Sequence, residues 1–305
     1  MQTDDPADPA ATDQASAPVL GVVVDVLERL WPTADAAEWD RVGLVTGDLD
    51  QPVRRVLFAL DPTLAVIEEA AAWGADLLVT HHPLLLRGVH SVATTSAKGA
   101  SVTALVRARC ALYVAHTNAD VADPGVSTVI ADALGLTAQR PLTAIGSCGA
   151  GRVGELAGPM SLGDFADLLV ETLPATAGGV RVSGPGAATV RRVAVMGGSG
   201  DDQFDAARAS GADVYITADL RHHPVLEARE EARDGTPYVI DAGHWAMESL
   251  WLATGLEQLL ASLGESPASR PAPTRVEGRL SGLRTEPWTF VAGANRARPE
   301  PGGGS

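Results

Sequence analysis

Residues 54–85, RRVLFALDPTLAVIEEAAAWGADLLVTHHPLL, decide the architecture. The apolar run Arg55 to Leu60 reads as a strand, and Pro62 opens a helix that runs to Trp73. Proline suits a first helical turn, where an N–H would have no partner in the helix. Gly74-Ala75-Asp76 breaks the helix, and Asp76 to Thr80 forms a second strand that ends on His81-His82-Pro83. Strand, helix and strand over this span make a βαβ unit.

The same order returns in residues 192–226, RVAVMGGSGDDQFDAARASGADVYITADLRHHPVL. A strand, a loop and a helix lead to Gly211-Ala212-Asp213, a strand to Thr217, and after a spacer His222-His223-Pro224. Self-similarity of this kind predicts two related half-domains. Around these segments the alternation continues. A helix is expected near Ser101 to Ala108, a strand at Ala111 to Ala115 and a helix from Val126 to Leu134. Gly146 to Arg191 reads as a connecting strand–helix–strand belonging to the second half. Ser161 is a natural N-cap there, and Asp164 adds charge suited to the first turn. The expected fold is therefore α/β, two pseudo-repeat halves with mixed sheets flanked by helices. The expected boundaries are a disordered leader at 1–17, a first half at 18–145, a second half at 146–295 and a disordered Pro/Gly tail at 296–305.

Composition narrows the function. With 305 residues, 46% of them hydrophobic, the chain can bury a core without staples. Its formal charge of −15 would repel phosphate backbones, which argues against a nucleic-acid partner. Arg54-Arg55 and Arg191-Arg192 are isolated pairs, read as solvated strand starts. No apolar run approaches a membrane span, the N-terminus lacks a secretory pattern, and the isolated Cys110 and Cys148 fit a reducing compartment. A cytoplasmic protein without a membrane partner is expected.

Chemistry gathers in four histidine clusters, His81-His82, His116 to Asp120, His222-His223 and His244 to Glu248; only His90 stands apart. Neutral imidazoles with carboxylates are natural ligands of zinc, iron, manganese or nickel, and bridging carboxylates allow two divalent ions in one site. His81 and His82 follow a strand, where α/β sheets place their sites. On extended backbone the two would point to opposite sides and suit two different ions; as a lone pair they serve equally as structural residues. His116 and Asp120 follow the strand at Leu112 to Ala115. Asp120 can be an anionic, bridging ligand, and the competing reading is an Asx-type turn built on Asn118. His244 and Glu248 follow the strand Tyr238 to Asp241 and the turn residue Gly243. A helix starting at His244 places both on one face, as a ligand pair or as a helix-start ion pair. His222 and His223 are either contacts near a site or solvent-exposed cap residues. Gly197-Gly198-Ser199-Gly200-Asp201-Asp202 is expected to leave a strand in a tight turn and open a helix. Backbone amides in such a turn can hold phosphate, although two Asp residues would oppose an anion.

At these residues the chain resembles the NIF-three-like family of dinuclear-metal proteins, often described as GTP cyclohydrolase 1 type 2 homologues. The matching pieces are Trp39-Asp40-Arg41-Val42-Gly43-Leu44, Thr80 to Leu84, Ala115 to Asp120, Gly197 to Gly200, Gly243-His244 with Glu248, and Glu286-Pro287-Trp288. The resemblance implies metal ligands at His81, His82, Asp120, His244 and Glu248, with His116 close by and His223 lining the same cleft. It also implies a toroidal homohexamer. Arg41 departs from the family's usual Asn, the Thr217 to His223 segment is written differently, and the inserted domain of longer members is missing. Two functions remain from different classes. One is a metal-dependent hydrolase of a small nucleotide-like or phosphorylated substrate, with GTP ring opening as its specific version. There two ions roughly 3.5–4 Å apart would generate the nucleophile, and His116 or His223 would shuttle protons. The other is a non-catalytic metal-binding or interaction protein in a hexameric assembly.

Overall fold

The computed structural model describes residues 17–144, 149–233, 235–264 and 276–293. The expected tail, Cys148 and all of the expected leader except Ala17 lie outside the described residues. In chain order the elements are α1 Leu20–Leu30, β1 Gly43–Thr46, β2 Arg55–Ala59, α2 Leu64–Trp73, β3 Leu77–Thr80, α3 Ala97–Ala108, β4 Ala111–Val114, α4 Thr117–Asp120, α5 Val126–Ala133, β5 Thr137–Thr143 and β6 Ala150–Ser161. There follow α6 Leu162–Thr172, β7 Arg181–Ser183, β8 Thr189–Ser199, α7 Phe204–Ala209, β9 Val214–Ala218, α8 His222–Glu231, β10 Tyr238–Asp241, α9 His244–Glu248, α10 Trp251–Gly264 and β11 Glu277–Leu280.

The chain forms two compact units. One holds the described residues up to Ala119 with Leu252–Arg284, and the other holds Asp120–Trp251 with the residues from Thr285 onward. The first sheet has the order β1-β4-β3-β2-β11 and the second β5-β6-β8-β9-β10-β7. Within the first, β2, β3, β4 and β11 run parallel while β1 is antiparallel. In the second, β8, β9 and β10 are parallel and the flanking strands antiparallel. The sheets are mixed and helix-flanked, as the sequence pattern predicts. They do not follow contiguous halves, because β11 returns beside β2 and β5 pairs with β6.

Parallel strands covered on both faces carry apolar residues at every position. All of β3, β4 and β9 is buried accordingly. The helix α2 begins where the Thr63 hydroxyl accepts from the Val66 amide at 3.3 Å and ends at Gly74, whose φ of 74° suits glycine. Its Val66, Ile67 and Ala70 pack with Leu57, Leu78, Leu105 and Leu112. Each large apolar side chain fully buried in this way contributes about 2 kcal/mol. Cys110 belongs to the same cluster, and burial pushes its thiol up to about 12, so it is plain core. In the second unit Tyr215, Phe204, Ala194 and Val239 form the corresponding cluster.

The repeat is physical. Asp76 Oδ2 accepts from the Arg54 and Arg55 amides at 2.7 and 3.1 Å, and Asp213 Oδ2 accepts from the Arg191 and Arg192 amides at 2.8 and 2.8 Å. One aspartate in each unit thus fixes the start of β2 or the corresponding part of β8 against the next strand. The arginine pairs are more than solvated strand starts: Arg55 pairs with Glu277 at 3.2 Å, and Arg191 and Arg192 both pair with Glu155. Asp76→Ala should lower unfolding stability by about 1–3 kcal/mol, because two amides lose their acceptor. A urea midpoint equal to that of the unaltered protein would show that these bonds contribute nothing.

Candidate metal centre

In each unit the site lies at the carboxyl ends of three adjacent parallel strands. In the first unit β2 leads to Asp61, β3 to His81 and His82, and β4 to His116. The His81 and His82 amides donate to the Ala59 and Leu60 carbonyls at 3.3 and 2.9 Å. The Thr80 hydroxyl donates to the His82 carbonyl at 2.9 Å, which turns the chain out of the strand. For this reason the two rings do not diverge as extended backbone predicts. Their centroids lie 5.2 Å apart, and His116 stands 5.1 and 5.5 Å from them. One potential ligand atom from each of the three histidines lies within 4.8 Å of the other two.

Hydrogen bonds fix the tautomers. His81 Nδ1 lies 2.8 Å from the Ala115 carbonyl oxygen, which can only accept, so Nδ1 carries the hydrogen. His82 Nδ1 donates in the same manner to Asp61 Oδ1 at 2.7 Å, and His116 Nδ1 to both Asp40 oxygens at 3.0 Å. In a neutral ring the lone pair then sits on Nε2. An oxygen acceptor behind Nδ1 is the arrangement that orients metal-binding histidines.

Asp40 is buried and also accepts from the Arg41 amide and from the Thr117 amide and hydroxyl. Burial alone would raise its pKa; the bonds from His116, Thr117 and Arg41 outweigh it and hold the carboxyl far below the usual range. The departure at Arg41 leaves this loop intact, since its guanidinium folds back onto the Glu38 and Asp40 carbonyls. Trp39 sets its ring edge-on to His116 at 5.9 Å. Asn118 is fully buried, accepting from the His116 amide at 2.9 Å and donating to the Trp31 carbonyl at 2.7 Å. The bond runs back to the His116 amide rather than forward to residue 120, so Asn118 does not build the expected Asx turn but places His116. Asp120 closes α4, half-buried.

The second unit repeats the plan. Here β8 brings Gly198, β9 leads to Asp219, and β10 to His244 and Glu248. His244 opens α9 as the sequence predicts, with Nδ1 2.8 Å from Asp219 Oδ2 and Nε2 2.9 Å from Glu248 Oε2. Glu248 is only 3% exposed. Burial lowers the pKa of His244, but hydrogen bonds and charge from Asp219 and Glu248 prevail and raise it to about 11. The ring thus holds a proton between two carboxylates. A divalent cation in place of that proton would neutralise the same charges and use the same Nε2 and Oε2 atoms. The donor chemistry of both units fits a metal.

The expected tight turn lies at the end of the glycine run, where the Gln203 amide donates to the Gly200 carbonyl at 3.1 Å just before the helix at Phe204. Gly197 to Ser199 continue β8 through an irregularity in its register, and the helix starts only at Phe204. Gly198 takes a φ of 69°, and a Cβ there would lie 2.2 Å from Glu248 Oε1. The Thr217 hydroxyl donates to the Gly198 carbonyl at 2.9 Å and the Tyr215 hydroxyl to the Gly200 carbonyl at 2.8 Å. The run exists so that backbone can pass close to a carboxylate.

His222 and His223 are exposed in the first turn of α8, their rings 5.1 Å apart, outside the histidine–carboxylate clusters of their unit. His90 is exposed as well. Sequence reasoning did not pair Asp61 with His82, Asp40 with His116 or Asp219 with His244. The available signal was chemical: a buried or metal-facing histidine needs an acceptor for its second nitrogen, and all three aspartates lie on loops next to a strand or the histidines themselves. Asp61→Ala should lower metal affinity by about 10–100-fold at unchanged fold. Equal affinity in a competition titration against a chromophoric chelator would remove Asp61 from the site.

Comparison with known proteins agrees with this plan. A sequence model described as Duf34/NIF3 (NGG1p interacting factor 3) matches residues 20–268. A Streptomyces coelicolor protein named GTP cyclohydrolase 1 type 2 homolog is 49% identical over 277 residues, covering 89% of this chain and 94% of its own. A Mycobacterium tuberculosis protein of the same name is 32% identical over 380 residues, covering 89% and 97%. Among solved structures, a Bacillus cereus protein related to NIF3 superimposes with a TM-score of 0.80 at 25% identity, covering 90% of this chain and all of that one. Among the described residues no helix is long and apolar enough to cross a membrane.

Proposed function

The chain belongs to the Duf34/NIF3 family, and from that premise we propose that it is a dinuclear metal-dependent hydrolase acting on a small nucleotide-like or phosphorylated molecule. GTP ring opening is the specific version, taken from the names of its relatives. The residues proposed to hold metal are His81 and His82 in the first unit and Asp120, His244 and Glu248 in the second. Zinc, iron, manganese and nickel all suit such donors.

One observation carries the reading. Within their own units His81, His82, His116 and His244 each have Nδ1 tied to a carbonyl or carboxylate, which sets each ring for metal ligation or proton transfer at Nε2. Divalent ions, when bound, supply Lewis acidity and make water ionise near neutral pH. The protein supplies the rest. Asp61 and Asp219 hold the rings of His82 and His244 in place. His116 would accept or release a proton at Nε2, and Asp40 would stabilise its charged form. His223 is the alternative shuttle, reached by substrate from the exposed start of α8.

The toroidal homohexamer is proposed with it. Trp288, Phe290 and Val291 are all exposed within four residues of sequence, apolar surface that an assembly would cover. Light scattering should give a mass near that of six chains; a monomer at micromolar concentration would refute the assembly.

The functional test is GTP turnover with and without added divalent ion, on protein purified without chelator. Metal-dependent turnover supports the hydrolase, and the product identifies the bond broken. Bound metal without turnover of GTP or other nucleotides would favour a storage, delivery or interaction role.

A further inference from the structure

The second unit contains a cavity of about 340 Å³, near the lower end of the sizes that hold small organic ligands. It lies between β7, the end of β10 and the start of α8, and it takes none of the residues proposed above as ligands or proton carriers. Its charge is opposite to that of the molecule. In a chain of net charge −15, the lining among the described residues carries Arg181, Arg221 and Arg229 against the carboxylate of Asp241. That carboxylate is already engaged, accepting from the Leu220 amide at 2.9 Å and from Arg181.

Arg229 is the telling residue. It is only 8% exposed, and its guanidinium donates to the Gly235 and Pro237 carbonyls at 2.5 and 2.8 Å and lies 5.1 Å over the Tyr238 ring. Among the described residues no carboxylate pairs with it. Burying a cation is costly, and an anion in the adjoining cavity would offset that cost. Arg221 pairs with Asp201 at 2.5 Å but is three-quarters exposed, free to turn toward an occupant. Arg221 and His222 begin α8, whose N-terminus has no side-chain cap and so presents its positive end. The remaining wall is apolar, with Val225, Leu226 and Val239.

We propose that this cavity binds a small organic anion, a carboxylate or phosphate headgroup on an apolar body. The arginines take the headgroup, and the valines and leucine take the body. The site stands independently of any metal, so its test uses both the unaltered protein and a metal-depleted Glu248→Gln form.

The probes are phenyl phosphate and benzoate, with phenol as the uncharged comparator and inorganic phosphate as the headgroup alone, titrated by isotope-edited NMR. At least one anion should bind saturably and about tenfold more tightly than phenol, weakening as salt is raised. Leu226→Glu and Arg221→Glu place a negative charge in the wall at exposed positions and should each weaken it about tenfold. Preference for phenyl phosphate identifies a phosphate ester as the ligand class, and preference for benzoate a carboxylate. Equal binding of inorganic phosphate would overturn the apolar part of the proposal. Failure of both anions to bind, or affinities unmoved by both substitutions, would overturn it altogether.

Discussion

Alanine at Gly198 should weaken metal binding by the second unit's cluster although it adds a single methyl group. The new Cβ would stand 2.2 Å from Glu248 Oε1, closer than any carbon and oxygen can approach without a bond. The backbone cannot retreat easily, because the Thr217 hydroxyl holds the Gly198 carbonyl and an L-residue at a φ of 69° adds about 1–2 kcal/mol of its own strain. The carboxylate must therefore move and break its 2.9 Å contact with His244 Nε2. Metal affinity should fall at least as far as for loss of a supporting residue, about 10–100-fold, with far-ultraviolet circular dichroism unchanged. Undiminished affinity would mean that Glu248 binds nothing that its position constrains.

Glu248→Gln should have the larger effect. Glutamine preserves the shape of the side chain and its place in α9, but removes the negative charge and one lone-pair-rich oxygen. The protein should remain soluble while its metal content drops sharply, because a buried carboxylate opposite an imidazole is the charged half of this donor pair. His90→Ala is the matching control. His90 is exposed and belongs to neither cluster, so metal content should not change. Unchanged stoichiometry in Glu248→Gln, or loss of metal in His90→Ala, would each mean that the ligand set is misassigned.

Much of the fold was legible because its signals are local. Continuous apolar runs at Val56 to Leu60 and Leu77 to Val79, punctuated by Gly74 and Gly211, give strands and helix stops with little ambiguity. Ser161 accepts from the Asp164 amide as its N-cap position predicts. The pairing of β11 with β2 was not legible, since a four-residue strand far along the chain carries no local mark of its partner.

The site divides along the same line. His81, His82, His116, His244 and Glu248 stood out by residue type and by their place after strands. Asp40, Asp61 and Asp219 did not, because a carboxylate behind a histidine is distinguished only by distance. Asp219 is instructive: it falls in the segment that departs from the family's pattern, and it adopts a φ of 57° that aspartate tolerates better than most residues. The glycine run was legible in part, as the turn at Gly200 to Gln203, while the role of Gly198 was not, for a related reason. Glycines that open a turn and glycines that admit a neighbouring carboxylate look alike until the neighbour is placed.

The central claim is that these histidines and carboxylates form a metal centre. It is tested most directly by metal content per chain, measured by mass spectrometry on protein purified without chelator and again after exposure to zinc, iron, manganese or nickel. About two ions per chain, as a dinuclear site requires, is the predicted result. Absence of stoichiometric metal even after reconstitution would contradict it.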